Sequence, residues 1–205
     1  MKMMPMLAAA VALVAGCAAP LSEDEAQQRA ERVFHQAFTH GNQQMAAQVF
    51  QQDEVQLLCS KYRNQPPGEI AERIEKSQAA TIQYPSSGRL MGDWHQGETI
   101  AQDGYGLRFT DANPRRPNGG NCYACHQLAP QELSYGTLGP SLYQYGKQRG
   151  NGEAMQKYAY AKIYNSEASA ACSSMPRFGH NKVLTPEQIA HVVALLLDPE
   201  SPVNK

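Results

Sequence analysis

The chain has 205 residues and is close to electrical neutrality, with 18 lysine and arginine residues against 19 aspartate and glutamate residues. A formal net charge of −1 and a pI near 6.6 argue against nucleic acid or an anionic membrane surface as a partner. The length allows one domain with an extension, or two small domains. No segment is repeated, and no segment is rich in strand signals.

The N-terminus predicts export from the cytoplasm. Residues 1–17 carry one early charge, Lys2, and then an apolar run that is too short to span a bilayer. Residues 14–17 (Val-Ala-Gly-Cys) resemble the cleavage motif of bacterial lipoproteins, which favours Cys17 as a lipidation site. Ordinary signal cleavage just beyond Cys17 is the alternative. In both cases we expect residues 1–17 to be an export signal and the mature protein to lie in the periplasm.

Residues 18–90 predict a helical extension without a cofactor motif. A capping box at residues 22–25 begins a helix whose apolar residues follow helical spacing as far as Phe38. A second apolar stripe runs over residues 45–58, and a short third helix is predicted over residues 69–77. Methionine and phenylalanine at helical spacing usually fill a core, so we interpret this segment as packing structure.

Residues 91–205 form the second predicted domain. A short helix opening at Gly92 is followed by a Gly-, Pro- and Asn-rich loop over residues 103–120. Another helical pattern covers residues 154–164. The last helix begins at residues 185–188 (Thr-Pro-Glu-Gln), where Thr is the N-cap, Pro takes the first helical position and Gln completes a capping box. We therefore expect an all-α fold of short helices and long loops.

Residues 122–126 (Cys-Tyr-Ala-Cys-His) form a CxxCH pentad, which is the most specific chemical signal in the chain. In c-type haem attachment, the two thiols add to the haem vinyl groups and the adjacent imidazole becomes an iron ligand. A thioredoxin-like redox pair would need a βαβ context, and a structural zinc site would need a second close Cys/His pair. The sequence has neither. The pentad therefore predicts one covalent haem c on Cys122 and Cys125, with His126 as the proximal ligand.

The five cysteines of the chain can be sorted by the pentad and the compartment. Cys17 belongs to the signal or to a lipid, and the pentad uses two more. Cys59 and Cys172 remain in an oxidising compartment, which predicts a disulfide between them. Two unpaired buried thiols, or Cys172 as an iron ligand, are the alternatives.

A low-spin electron-transfer haem needs a second axial ligand. The candidates are Met45, Met91, Met155, Met175, His35, His40, His95, His180 and His191. In small cytochromes c the distal methionine lies in a loop just before the last helix, and Met175 has this position. Pro176 stiffens its loop and Gly179 lets the loop turn. We expect Met175 to be the ligand; the alternative is a core role for Met175, with His180 as ligand or an open iron.

The pair Gly139-Pro140 lies between the pentad and Met175. In cytochromes c of this kind, the carbonyl of such a proline accepts a hydrogen bond from Nδ1 of the proximal histidine. The likeness implies that Pro140 fixes the tautomer of His126 and raises its basicity. A Gly-Pro pair is a common turn, so this prediction depends on the position of the pair between the pentad and Met175.

Taken together, these motifs resemble the SoxX family, the mono-haem c-type cytochrome subunits of the SoxAX complex of bacterial thiosulfate oxidation. The resemblance covers residues 91–205 and rests on residues 120–126, 139–142 and 175–179, with the sequences GNCYACH, GPSL and MPRFG. CxxCH is generic, whereas GNCxACH combined with MPxFG is much more specific. The resemblance implies a class I cytochrome c fold over residues 91–205. Residues 18–90 would then be an added helical extension that contacts a partner subunit or pins the cytochrome domain.

The resemblance also implies a function and partners. SoxAX joins thiosulfate oxidatively to a cysteine of the carrier complex SoxYZ, and the bond-forming chemistry belongs to a haem in SoxA. A SoxX-like chain would relay the electrons through a His/Met-ligated haem to a soluble cytochrome acceptor. It would be the non-catalytic subunit of an L-cysteine S-thiosulfotransferase, in a heterodimer with a SoxA-like cytochrome and in transient contact with a SoxYZ-like carrier.

Three other functions remain open. A free-standing periplasmic cytochrome c carrier needs the same haem but no SoxA-like subunit. A haem sensor or peroxidase needs an open or exchangeable iron site. A lipid-anchored structural protein would carry the CxxCH incidentally.

Overall fold

The structure is a computed structural model that describes residues 20–37, 51–106, 108, 110, 111, 113 and 115–205. These residues form seven α-helices and no strand, so the described part of the chain is all-α, as predicted. No helix in these ranges has the length and apolarity needed to cross a membrane. The predicted export signal with Cys17, and the candidate ligands His40 and Met45, lie outside the described residues.

The chain divides into two units, residues 1–39 and residues 40–205. The first unit contains helix α1, Glu23–Ala37. The predicted capping box is present, because the Ser22 hydroxyl accepts from the backbone N–H of Glu25 at 3.3 Å while the Glu25 carboxylate accepts from the N–H of Ser22 at 3.0 Å. No residue of α1 is buried, so its apolar stripe is helical as predicted but contributes nothing to a described core.

The second unit begins with helices α2, Glu54–Lys61, and α3, Gly68–Ala79. A capping box that the sequence analysis did not identify starts α2: Asp53 accepts from the N–H of Gln56 at 2.9 Å, and the Gln56 side chain accepts from the N–H of Asp53 at 2.9 Å. The two helices share a small separate core of Val55, Cys59 and Ile74. This pair lies within the predicted extension.

Four further helices build the rest of the second unit: α4, Trp94–Gln102; α5, Tyr145–Arg149; α6, Glu153–Tyr164; and α7, Pro186–Leu197. Helices α4, α6 and α7 occupy the segments that the sequence predicted, whereas α5 was not predicted. Short 3-10 turns lie at Cys122–Ala124, Ser166–Ala168 and Pro202–Asn204.

Helix α7 is the centre of the main core. The capping box predicted at its start is confirmed, with Thr185 accepting from the N–H of Gln188 at 3.2 Å. Helix α7 packs against α4, where the Asp93 N–H donates to Nδ1 of His191 at 2.8 Å, and against α6. Its buried residues are Ile189, Ala190, Val192, Val193, Ala194, Leu195, Leu196 and Leu197. Each large aliphatic side chain among them contributes about 1.5–3 kcal/mol when fully buried.

Candidate haem-binding site

The CxxCH pentad folds as a 3-10 turn over Cys122–Ala124. The carbonyl of Cys122 accepts from the N–H groups of Cys125 and His126, at 3.1 and 2.9 Å. Asn121 enters the turn with φ 47°, a left-handed conformation that asparagine tolerates better than most residues. The turn leaves both cysteines half-buried and unpaired.

The Cys122 thiol has a raised pKa of about 12, mainly because its burial disfavours the thiolate. Reactive CxxC pairs of the thioredoxin type show the opposite shift, since a lowered pKa is what makes their thiolate a nucleophile. The raised pKa of Cys122 is thus unlike that of a reactive redox thiol.

The His126 imidazole is oriented by the Gly139-Pro140 turn. Its Nδ1 lies 2.7 Å from the carbonyl oxygen of Pro140, which can only accept, so Nδ1 carries the proton and Nε2 presents its lone pair. Gly139 lies so close to the ring that a side chain there would collide with it. Backbone hydrogen bonds of 2.8 Å, from Gly136 to Tyr123 and from Gly139 to Cys125, tie this loop to the pentad.

Met175 lies in the loop between the Ser166–Ala168 turn and α7 and is partly buried against the main core. Cys122 packs against the same core. The Met175 carbonyl accepts from the Ser166 hydroxyl, and its N–H donates to Oγ of Ser173 at 3.2 Å. The backbone at Met175 is therefore anchored on both sides of its side chain.

Gly179 lies in a turn, as predicted, and its carbonyl accepts from the N–H of Lys182 at 2.9 Å. Its φ is not positive, so the turn itself does not require glycine. A side chain at this position would, however, collide with the ring of Tyr164. Glycine is needed here because the Met175 loop packs closely against α6.

Cys59 and Cys172 form a disulfide, with 2.09 Å between the sulfurs and 5.4 Å between the Cα atoms. The bond joins α2 to the start of the Met175 loop across 113 residues of sequence. The sulfur of Cys172 is thereby engaged, which disfavours its alternative role as an iron ligand.

A buried polar network that the sequence analysis missed surrounds Arg177. The Arg177 side chain is 8% exposed and pairs with the Asp53 carboxylate at 2.6 Å. The same guanidinium lies 3.4 Å from Oε1 of Gln78, which also accepts from the Asn165 amide at 3.0 Å. The Asp-x-x-Gln pattern at residues 53–56 could have revealed the start of α2. No sequence signal pairs Asp53 with a residue 124 positions away.

His180, the alternative distal ligand, faces the same network. Its Nδ1 lies 3.4 Å from Oγ1 of Thr81 and its Nε2 lies 3.9 Å from Asp53. Burial and the neighbouring Arg177 lower the pKa of His180, which favours the neutral imidazole. Both ring nitrogens are thus directed at α2 and the end of α3.

Four further candidate ligands lie in the second unit. His191 Nδ1 is bonded to the Asp93 N–H, and the His95 side chain is 71% exposed and stacks on Trp94. Met91 and Met155 are partly buried against the main core.

The donor set fits a covalently bound haem. Within the described residues, no three His, Cys, Asp or Glu side chains converge to hold a metal ion directly. The pentad instead offers two free thiols and an imidazole whose Nδ1 is already bonded, and the chain offers a partly buried thioether in a braced loop. These are the groups by which c-type haem is attached and ligated.

Comparison with known proteins relates this chain to a bacterial lipoprotein. No family model matches the chain. The chain is 41% identical over 155 residues to an uncharacterized lipoprotein of Aquifex aeolicus (strain VF5), a match that covers 75% of this chain and 73% of the relative. This chain belongs to the family of that lipoprotein. The 155 matched residues are more than residues 91–205 contain, so the match also includes part of the segment before residue 91.

Proposed function

We propose that this chain is an exported c-type cytochrome with one covalent haem, and that it relays electrons as the SoxX-like subunit of a SoxAX-type thiosulfate-oxidising complex. The observation that carries the cytochrome assignment is the His126 imidazole, held by the Pro140 carbonyl directly after a turn with two free thiols. A histidine oriented in this way has its Nδ1 proton fixed and its Nε2 prepared for a metal.

Different residues of the site would attach the haem and ligate its iron. Cys122 and Cys125 would attach it as thioethers, and His126 and Met175 would be its axial ligands. When bound, the haem would supply a one-electron couple. The Pro140 carbonyl would hold the His126 ring in the orientation and tautomer that ligation requires. The Met175 thioether would favour the ferrous state and close the iron to small oxidants, which suits electron transfer rather than oxygen chemistry.

Export and anchoring are part of the proposal. A relative from the same family is a lipoprotein, which supports lipidation of this chain at Cys17 and attachment to a membrane facing the periplasm. The anchor would keep the relay subunit and any SoxA-like partner at the membrane, where a cytochrome acceptor and a SoxYZ-like carrier could reach them. The SoxX assignment itself rests on the GNCxACH and MPxFG motifs.

The first test is haem attachment to the full chain produced with c-type maturation. We expect a haem stain that survives a denaturing gel in the wild type and is lost in the Cys122→Ala/Cys125→Ala double variant. Cys59→Ala/Cys172→Ala, which removes two cysteines outside the pentad and leaves no new free thiol, is the matched control and should keep the stain. An unstained wild-type protein would refute the cytochrome assignment.

The second test separates the relay subunit from a free-standing carrier. The tagged full-length protein is isolated from its native membranes, and the co-purifying chains are identified by haem stain and mass spectrometry. A stoichiometric second c-type cytochrome supports the SoxAX-type complex. A haem-bearing chain that purifies alone supports the free-standing carrier and refutes the complex.

A further inference from the structure

We propose that α2 and α3 are a clamp that positions the Met175 loop for ligation. The clamp holds the loop through the Cys59–Cys172 disulfide on one side of Met175 and through the Asp53–Arg177 ion pair on the other. This inference rests on the proposed function, because it takes Met175 to be the distal ligand of a haem. It gives the predicted extension a role in the site, because its residues act on the site through the loop.

The first anchor lies just before Met175. Cys172 is bonded to Cys59 of α2, and the N–H of the preceding Ala171 donates to the Glu75 carboxylate of α3 at 3.1 Å. The Glu167 carboxylate also accepts from the N–H of Cys172. The two clamp helices therefore hold adjacent loop residues, α3 at Ala171 and α2 at Cys172.

The conformation of Cys172 shows how firmly this anchor holds. Its φ of 59° lies in the left-handed region, which is unfavourable for a residue with a side chain. Such a conformation persists only where the surrounding contacts impose it. Here the disulfide and the Glu167 hydrogen bond act directly on the residue.

The second anchor lies just after Met175. The Arg177 guanidinium is buried and is bonded to Asp53, at the start of α2, and to Gln78 in α3. A buried charge that loses its partner is strongly destabilised, so the guanidinium resists leaving this position. The loop is thus held by both helices on both sides of Met175.

The two anchors restrict where the methionine sulfur can go. Only five residue steps separate Cys172 from Arg177, and an extended chain advances no more than about 3.3–3.6 Å per residue. A segment fixed at both ends over so short a distance has few alternative conformations. The segment is therefore ordered when the protein folds and not when Met175 binds the iron. This is the physical basis of preorganisation.

The test uses the full-length, haem-loaded protein and two independent clamp variants. One is Cys59→Ala/Cys172→Ala, which removes the disulfide. The other is Asp53→Asn, which removes the counter-charge of Arg177 and keeps a good N-cap for α2. Asp93→Asn is the matched control, because Asp93 is also the N-cap aspartate of a helix, α4, but bonds to no residue of the Met175 loop.

Four readouts other than activity are measured: covalent haem by stain, the visible charge-transfer band of a thioether bound to ferric haem, carbon monoxide binding to the reduced protein, and the midpoint potential. We expect both clamp variants to keep the haem stain and to lose part of the band. Carbon monoxide should bind at least about tenfold faster, a factor that corresponds to about 1.4 kcal/mol. The midpoint potential should fall, since thioether ligation raises it. The Asp93→Asn control should match the wild type.

The failures are distinguishable. A wild type without covalent haem overturns the proposed function and the clamp together. A Met175→Ala variant with an unchanged band shows that Met175 is not the ligand and overturns the clamp, while leaving the cytochrome assignment standing. Clamp variants with wild-type band and carbon monoxide kinetics, beside a Met175→Ala variant that loses the band, overturn the clamp alone. If the cysteine variant does not fold, Asp53→Asn and chemical reduction of the wild-type disulfide decide the same question.

Discussion

At the scale of single residues, the site depends on how closely Gly139 and Pro140 pack against the His126 imidazole. The Pro140 carbonyl accepts the Nδ1 proton of His126 at 2.7 Å, and Gly139 leaves no space for a side chain between the loop and the ring. The two neighbouring residues thus act differently. Proline supplies an acceptor on a stiff backbone, and glycine permits the close approach that makes the hydrogen bond short.

We predict that Gly139→Ala displaces the His126 ring. The added methyl group would overlap the imidazole, and relief of such overpacking costs about 1–3 kcal/mol. We expect a lower unfolding midpoint and less covalent haem per chain, measured by thermal unfolding and haem stain. Gly68→Ala is the control, since a Cβ at Gly68 meets nothing within 4 Å. Wild-type haem content in Gly139→Ala would contradict the prediction.

Asp53 makes stability depend on acid pH. Its burial by itself would raise its pKa, but the Gln56 N–H and the Arg177 guanidinium outweigh that effect and hold the pKa below the ordinary value. A carboxyl whose pKa is lower in the folded state stabilises the fold above the unfolded-state pKa of about 3.9. This contribution disappears as the pH falls through the folded-state value.

We therefore predict that Asp53→Asn lowers the urea midpoint at neutral pH and makes it less sensitive to acid below about pH 4. The measurement is a series of urea unfolding curves from neutral to acid pH. Glu54→Gln changes the exposed neighbouring carboxyl in the first turn of α2 and serves as the control. Parallel pH profiles for Asp53→Asn and the wild type would show that the ion pair does not contribute.

At the scale of elements, α2 and α3 connect the N-terminal part of the second unit to the Met175 loop. Helix α2 reaches the Met175 loop through the disulfide, and α3 reaches it through Gln78. The segment after α3 also contacts α6, where the hydroxyl of the fully buried Tyr160 donates to the Gln83 carbonyl at 2.7 Å. Residues 51–90 are therefore part of the architecture around the site.

Removal of the disulfide should reduce stability by about 4–5 kcal/mol, the value expected for a closed loop of this length. The Cys59→Ala/Cys172→Ala variant should unfold at lower guanidinium concentration than the oxidised wild type. Reductant should lower the midpoint of the wild type and leave that of the variant unchanged, which controls for other effects of the reductant. A loss below about 1 kcal/mol would show that the chain between the cysteines is already restrained when unfolded.

At the scale of the whole molecule, the chain consists of two units, and the larger one holds both the main core and the candidate site. Its core is built around α7, which is buried along most of its length. The proposed lipid on Cys17 would connect the folded protein to a membrane, and the family relationship with a lipoprotein supports this proposal.

We predict that Cys17→Ser moves the protein from the membrane fraction to the soluble periplasmic fraction. The Cys17 sulfur is where the proposed lipid would be attached, so its loss should remove the anchor while leaving export, folding and haem content intact. Fractionation followed by haem stain measures all three. Ala18→Ser is the control and should remain in the membrane fraction. Equal distribution of Cys17→Ser and the wild type would indicate ordinary signal cleavage.

The local features of this protein were readable from its sequence. The Thr185–Gln188 capping box and the apolar spacing after it specify α7, because both act between residues three or four positions apart. The CxxCH spacing likewise defines a turn of its own. The all-α character follows from the same short-range signals.

The tertiary structure alone decided the pairing of Asp53 with Arg177, the close approach of Gly139 to the His126 ring and the packing of Gly179 against Tyr164. Each depends on groups that lie beyond one helical turn of each other and meet only after the chain folds. A charge pattern does not reveal which carboxylate will reach a buried guanidinium, and a glycine does not reveal which ring will lie against it. Local hydrogen bonding is encoded in neighbouring residues, whereas contact across 124 positions is decided by the packing of the whole chain.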